Sequence, residues 1–149
     1  MSAKPVSCRV EQPSSAKPAA VYDALMDVDR WSDWMPTVSA ASWERQGAPH
    51  TGLGGIRRVR NRLNVVHDRV VDGARPHHHT YDASLPGYML LKDYRGDIRI
   101  EERPGGCLIT WTVTCTPRIP ALAKPIQSRL HSIYLRLAAA LALEAERQQ

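Results

Sequence analysis

The chain contains no phenylalanine, and aromatic residues make up only 6% of its 149 positions. Tryptophan and tyrosine supply every ring, so each buried ring brings an N–H or O–H that needs a partner. Cysteines are few: Cys8, Cys107 and Cys115 form no CxxC pair. Their odd number speaks against a disulfide scaffold or a zinc knuckle, and a reducing, cytoplasmic setting fits best. No run of 18 uncharged apolar residues exists, so no membrane span is expected. The opening stretch lacks the apolar core that a secretory signal needs. A helix-opening phosphate loop, a GxSxG elbow and a Cys–His nucleophile pattern are all missing.

What is present is ordinary globular composition, with 43% hydrophobic and 23% charged residues. The length predicts one domain spanning residues 1–149. The net charge of +5 permits a polyanionic partner without requiring one. Apart from Arg57, Arg58, Arg60 and Arg62 the basic residues are scattered, and no nucleic-acid motif accompanies them, so nucleic acid is not an expected partner.

Residues 5–11 alternate, with Val6, Cys8 and Val10 on one side, which predicts a strand. Pro13, Ser14 and Ser15 are expected to end it. A helix follows over 16–28, with Pro18 in its first turn, and a short second helix over 31–36. Further strands are predicted at 38–46, 55–62, 65–72, 77–83, 92–102 and 107–116, separated by turns rich in Gly, Pro, Asn and Asp. The last strand alternates most cleanly: Cys107, Ile109, Trp111, Val113 and Cys115 oppose Thr110, Thr112, Thr114 and Thr116. One dry face and one wet face mean an antiparallel sheet covered on one side.

Leu122, Ile126, Leu130, Ile133, Tyr134, Leu137 and Leu141 then recur at helical spacing. A helix over 122–147 would be about 38 Å long. Arg129, Arg136, Glu144 and Arg147 on it are expected in solvent. One helix cannot cover a flat seven-stranded sheet, so the sheet should curve round it and leave a gap beside it, a common ligand site.

Several segments carry a family resemblance. They are Asp29-Arg30-Trp31-Ser32-Asp33-Trp34-Met35-Pro36; Gly54-Gly55 leading into Arg57 and Arg58; Asp68-Arg69-Val70 with Arg75-Pro76; Leu85-Pro86-Gly87-Tyr88; Asp93-Tyr94-Arg95-Gly96; Trp111; and Pro117-Arg118-Ile119-Pro120. In this order the chain resembles the SRPBCC superfamily, which holds START lipid-transfer domains, the birch pollen allergen and polyketide cyclase/dehydrase proteins. It looks most like the small bacterial polyketide cyclase/dehydrase branch. The resemblance implies an α+β helix-grip fold: a seven-stranded curved antiparallel sheet wrapped round a long C-terminal helix, with two short helices after the first strand. It also implies a cavity for a small hydrophobic or aromatic molecule. No cofactor and no metal are expected.

Function stays open among a ligand-binding protein, a cyclase/aromatase/dehydrase, and an interaction module, since this scaffold hosts several activities. Alternation places Arg58 and Arg60 beside Ile56, and Asp68 beside Val66 and Val70. On the concave face these charges would pair, orient a polar ligand end, or let Asp68 act as a base; a one-residue register change would put the arginines in water. Tyr81, Tyr88, Tyr94 and Tyr134 either fill the core or hold a ketone oxygen. Trp34 and Met35 pack the cavity end or gate it.

The expected catalytic set is Asp68, Tyr94 and Arg58. The expected ligand-binding set is Trp34, Arg60, Tyr81, Tyr88, Ile98, Trp111, Val113, Leu130, Tyr134 and Leu137. His77, His78 and His79 are expected at an exposed edge or turn rather than on a metal. An exposed edge strand leaves room for a homodimer.

Overall fold

The computed structural model describes residues 4–62 and 64–149. Its elements are β1 (Val6–Ser14), α1 (Pro18–Met26), a 3-10 turn at Val28–Arg30, α2 (Trp31–Trp34), β2 (Val38–Arg45), β3 (Ile56–Asn61), β4 (Asn64–Ala74), β5 (His78–Ser84), β6 (Leu91–Arg103), β7 (Gly106–Pro117) and α3 (Ala123–Gln148). Among the described residues, seven antiparallel strands form one curved sheet in the order β1-β7-β6-β5-β4-β3-β2. The helix-grip architecture expected from the sequence is therefore present.

The inner face of the sheet is built by alternation. Cys107, Ile109, Trp111, Val113 and Cys115 of β7 are all buried. So are Ile98 and Ile100 of β6, and Cys8 and Val10 of β1. Helix α3 lays Leu130, Tyr134, Leu137, Ala138, Leu141, Ala142 and Ala145 against β1, β7 and α1. It covers one side of the sheet only. Over β2 the cover comes from α2 and the turn before it.

Four register shifts interrupt the ladders, and such bulges bend a strand and re-aim its side chains. The one between Lys92 and Arg95 matters most. Leu91 and Tyr94 differ by an odd number of residues, yet both face inward, because Asp93 takes φ +53° and absorbs the extra residue.

Several expectations fail locally. β1 continues through Pro13 to Ser14, which an edge strand tolerates because one of its sides has no neighbour to receive the N–H that proline lacks. The Ser14 hydroxyl donates to Glu146 at 2.7 Å and accepts from the Ala16 N–H, tying the strand end to α3. Helix α1 ends at Met26, two residues early. Glu144, expected in solvent, is buried, with Gln148 donating to it at 3.3 Å; α3 turns that position toward the body of the protein.

Candidate functional site

Arg57 is the largest fully buried side chain, 1% exposed, on the inner face of β3. Its cross-strand partner is Asp68 of β4, with Nη2 and Oδ2 3.5 Å apart. The guanidinium also faces three rings, 5.0 Å from the centroid of Trp31, 5.1 Å from Tyr81 and 5.9 Å from Trp43. A buried cation is tolerable only with such compensation: an opposite charge and aromatic faces that attract it. Trp43 is held in place by the Gly47–Gly55 loop. A β-carbon on Gly52, already at φ +70°, would stand 2.8 Å from the indole.

Arg57 Nη1 donates to His79 Nε2 across 2.9 Å. A guanidinium has no acceptor, so Nε2 must accept and the imidazole proton sits on Nδ1. Burial, aided by the Arg57 charge, holds His79 well below the usual histidine range, so the ring is neutral. Burial likewise pushes the Asp68 carboxyl up, against the pull of Arg57.

Four buried polar atoms in the described residues have no partner: Arg57 Nε, His79 Nδ1, Tyr22 Oη and Trp34 Nε1. The Tyr22 ring meets His79 edge-on at 6.1 Å, so three of these atoms belong to one neighbourhood. An unmet buried donor is costly and uncommon.

A second polar group adjoins the first through Tyr81. Trp111 Nε1 donates to Tyr81 Oη at 3.2 Å. The Trp111 ring meets that of Tyr134 on α3 with centroids 5.1 Å apart, and the Tyr134 hydroxyl is hydrogen-bonded to that of Tyr94 on β6. Burial raises all three phenols well above the ordinary tyrosine value, so all are protonated at neutral pH. Tyr94 is half-buried.

Most of the expected residues lie on this inner wall. Asp68, Tyr81, Ile98, Trp111, Val113, Leu130, Tyr134 and Leu137 are buried there. Trp34 and Tyr94 are half-buried at its margin. Arg58 and Arg60 are not on it: both are exposed on the outer face of β3. Pairing Arg57 with Asp68 and Val59 with Val66 sets the opposite parity, so Arg57 points inward and Arg58 and Arg60 point outward. Tyr88 is 68% exposed and donates its hydroxyl to Asn64, so it does not line the interior.

The histidine run divides. His77 is exposed, and His78 is half-buried on Asp97 at 2.7 Å. His79 is fully buried, against the expectation of an exposed turn, because β5 is a central strand with its inner face covered. Arg57, His79, Tyr22, Trp31 and Trp43 were not picked out from the sequence as site residues. A charge count carries the signal for Arg57. One parity of β3 buries two arginines and the other buries one, and the cheaper desolvation is the one adopted.

Two open grooves lie elsewhere. One, about 710 Å³, runs over the outer face past Arg9, Asp97, Arg99 and Thr112; the other, about 420 Å³, lies between β1 and α3 beside Gln127 and His131. Among the described residues, no group of three His, Cys, Asp or Glu side chains is placed to hold a metal ion. No described helix is long and apolar enough to cross a membrane.

The family described as polyketide cyclase / dehydrase and lipid transport matches residues 5–146. No curated protein matches the sequence. Solved structures share the fold at low identity. The Zhui aromatase/cyclase from Streptomyces sp. R1128 superposes with a TM-score of 0.81 at 16% identity, covering 97% of this chain and 96% of its own. A START superfamily protein from Mycobacterium smegmatis gives 0.78 at 14%, covering 97% and 99%. Norcoclaurine synthase from Thalictrum flavum gives 0.74 at 13%, covering 100% and 99%.

Proposed function

The chain belongs to the polyketide cyclase / dehydrase and lipid transport family, and from that premise we propose that it binds a small hydrophobic or aromatic molecule between the inner face of the sheet and α3. Apolar side chains such as Ile98, Val113 and Leu137 would take the body of the ligand. The Arg57–Asp68–His79 group and the Tyr81, Tyr94 and Tyr134 phenols would take its polar end. The observation that carries this reading is the buried Arg57–Asp68–His79 group on the inner face, with two donors, Arg57 Nε and His79 Nδ1, unmet. The three cysteines are free thiols, which supports a reducing, cytoplasmic setting. The edge strand β2 is where a homodimer would pair.

Thermal unfolding against a panel of polycyclic aromatics and lipids tests the proposal. A true ligand raises the midpoint saturably with concentration, as mass action requires. A flat response across the whole panel counts against it.

A catalytic version is favoured by Tyr94, a protonated phenol at the margin of the interior whose partner on the chain is Tyr134. In that version Tyr94 donates to a ketone oxygen during cyclisation or dehydration, with Asp68 and Arg57 steadying charge. Loss of turnover in Tyr94→Phe with retained ligand binding separates catalysis from carriage.

A further inference from the structure

Three connections meet at one end of the sheet. The β3–β4 turn, the β5–β6 loop and the β7–α3 loop lie together there, because Asn61 pairs with Asn64, Ala83 with Tyr94, and Leu91 with Pro117. The Arg118 N–H donates to the Leu90 carbonyl at 2.8 Å, and the Tyr88 hydroxyl donates to Asn64, so the three are fastened to one another. Tyr88 and Ile119 stand out from two of them, 68% and 45% exposed, with Met89 and Leu122 half-buried beside them. Single apolar side chains on a surface are ordinary; gathered on neighbouring loops they mark a contact surface.

The charge around these side chains has one sign. Residues 60–62, 85–93 and 117–124 hold Arg60, Arg62, Lys92, Arg118 and Lys124 against one carboxylate, Asp93. All five cations are exposed. At the opposite end the signs are mixed and paired, Arg75 with Asp23 at 2.9 Å and Arg103 with Glu101 at 3.2 Å.

We propose that this end docks on an anionic lipid surface, with Tyr88 and Ile119 entering the headgroup layer and the cations lying against acidic headgroups. Interfacial binding needs both signals together, since neither a small apolar insertion nor a basic patch holds a protein firmly alone. Each cation near an anionic surface contributes about fivefold in affinity. Tyr88 favours a lipid layer over an acidic protein. Among the described residues it is the most exposed large apolar side chain, and a ring with a polar tip suits the boundary between water and hydrocarbon. Docking here is independent of the small-molecule reading above, because it uses loops outside the inner face.

Co-sedimentation with vesicles of phosphatidylcholine alone, and with about one third phosphatidylglycerol, tests the proposal. The expected result is binding to the mixed vesicles only, lost at high salt. Charge alone would give that much for any basic chain, so the deciding comparisons are local. Arg118→Ala with Lys124→Ala should weaken binding roughly tenfold or more. Arg99→Ala with Arg103→Ala removes the same charge at the far end of β6 and should cost less than about threefold. Tyr88→Ser with Ile119→Ser should cost at least about threefold with no change of charge. The native cysteines are buried, so an introduced one takes a label. An environment-sensitive dye on Ile119→Cys should shift to the blue on binding, and the same dye on Arg103→Cys should not. Equal losses in the two charge variants, or equal dye shifts at positions 103 and 119, overturn the proposal. So does failure to bind the mixed vesicles, which leaves an acidic protein as the counterpart of this end.

Discussion

The ring of Tyr81 lies across Gly96 of the neighbouring strand, so that a β-carbon on residue 96 would stand 2.2 Å from ring carbon Cζ. The absent side chain makes the space in which Tyr81 meets Trp111 on one side and the Arg57 guanidinium on the other. Gly96→Ala should therefore push the phenol aside and cost about 1–3 kcal/mol, as overpacking does. In a double-mutant cycle with Tyr81→Ala the two costs should be strongly less than additive in urea unfolding, because the second change removes the clash. Additive costs would mean that the ring and the glycine do not meet.

The Arg57–Asp68 pair predicts a different non-additivity. Removing one charge leaves the other buried and alone, a loss of about 3–5 kcal/mol. Arg57→Met and Asp68→Leu should each approach that, while the double variant should cost less than the two singles added. Arg58→Ala and Arg60→Ala, on the outer face, should stay within about 0.5 kcal/mol of the parent. Chemical denaturation of all five proteins checks the set.

His79 predicts the acid side of the stability curve. Its native pKa lies well below the unfolded value of about 6.5. As pH falls below that value the unfolded chain binds a proton that the native protein refuses, so stability declines. The slope approaches about 1.4 kcal/mol per pH unit and persists until the native ring itself titrates. Asp68 works with the opposite sign, its raised native carboxyl taking up a proton before the unfolded one does. The comparison is therefore between parent and His79→Gln, and the variant should be flatter between pH 6.5 and 5 in urea titrations. Equal slopes would place the titrating group elsewhere.

Cys115 is fully buried, and burial together with nearby Cys8 pushes its thiol up to about 11. At pH 8 only about one molecule in a thousand carries the reactive thiolate there. Burial raises Cys8 and Cys107 as well. A disulfide reagent such as DTNB should find no fast-reacting thiol in the native protein at pH 8, and three after denaturation in guanidinium. A fast native equivalent would mean that this side of the sheet is open.

The strand-rich middle, the long C-terminal helix and the inward set of β7 were legible in the sequence because their periods are unambiguous. Trp111 and Tyr134 could be assigned to the wall for the same reason: each sits on a stripe whose other members are apolar. His79 could not. Three consecutive histidines carry no period, and what buries one of them is the central place of β5 and the α1 tyrosine that meets it.

β3 marks the boundary most clearly. In Ile56-Arg57-Arg58-Val59-Arg60 the two apolar residues lie an odd number apart, so either parity buries one of them and the local pattern is neutral between the two. Amino-acid order alone decided the architecture, since alternation and helical spacing say which faces must leave water. Tertiary pairing, with the charge count behind it, decided which arginine the interior holds. A shift of one residue exchanges the faces of a strand, and only the opposing Asp68, the three rings and the cost of burying a second cation select Arg57.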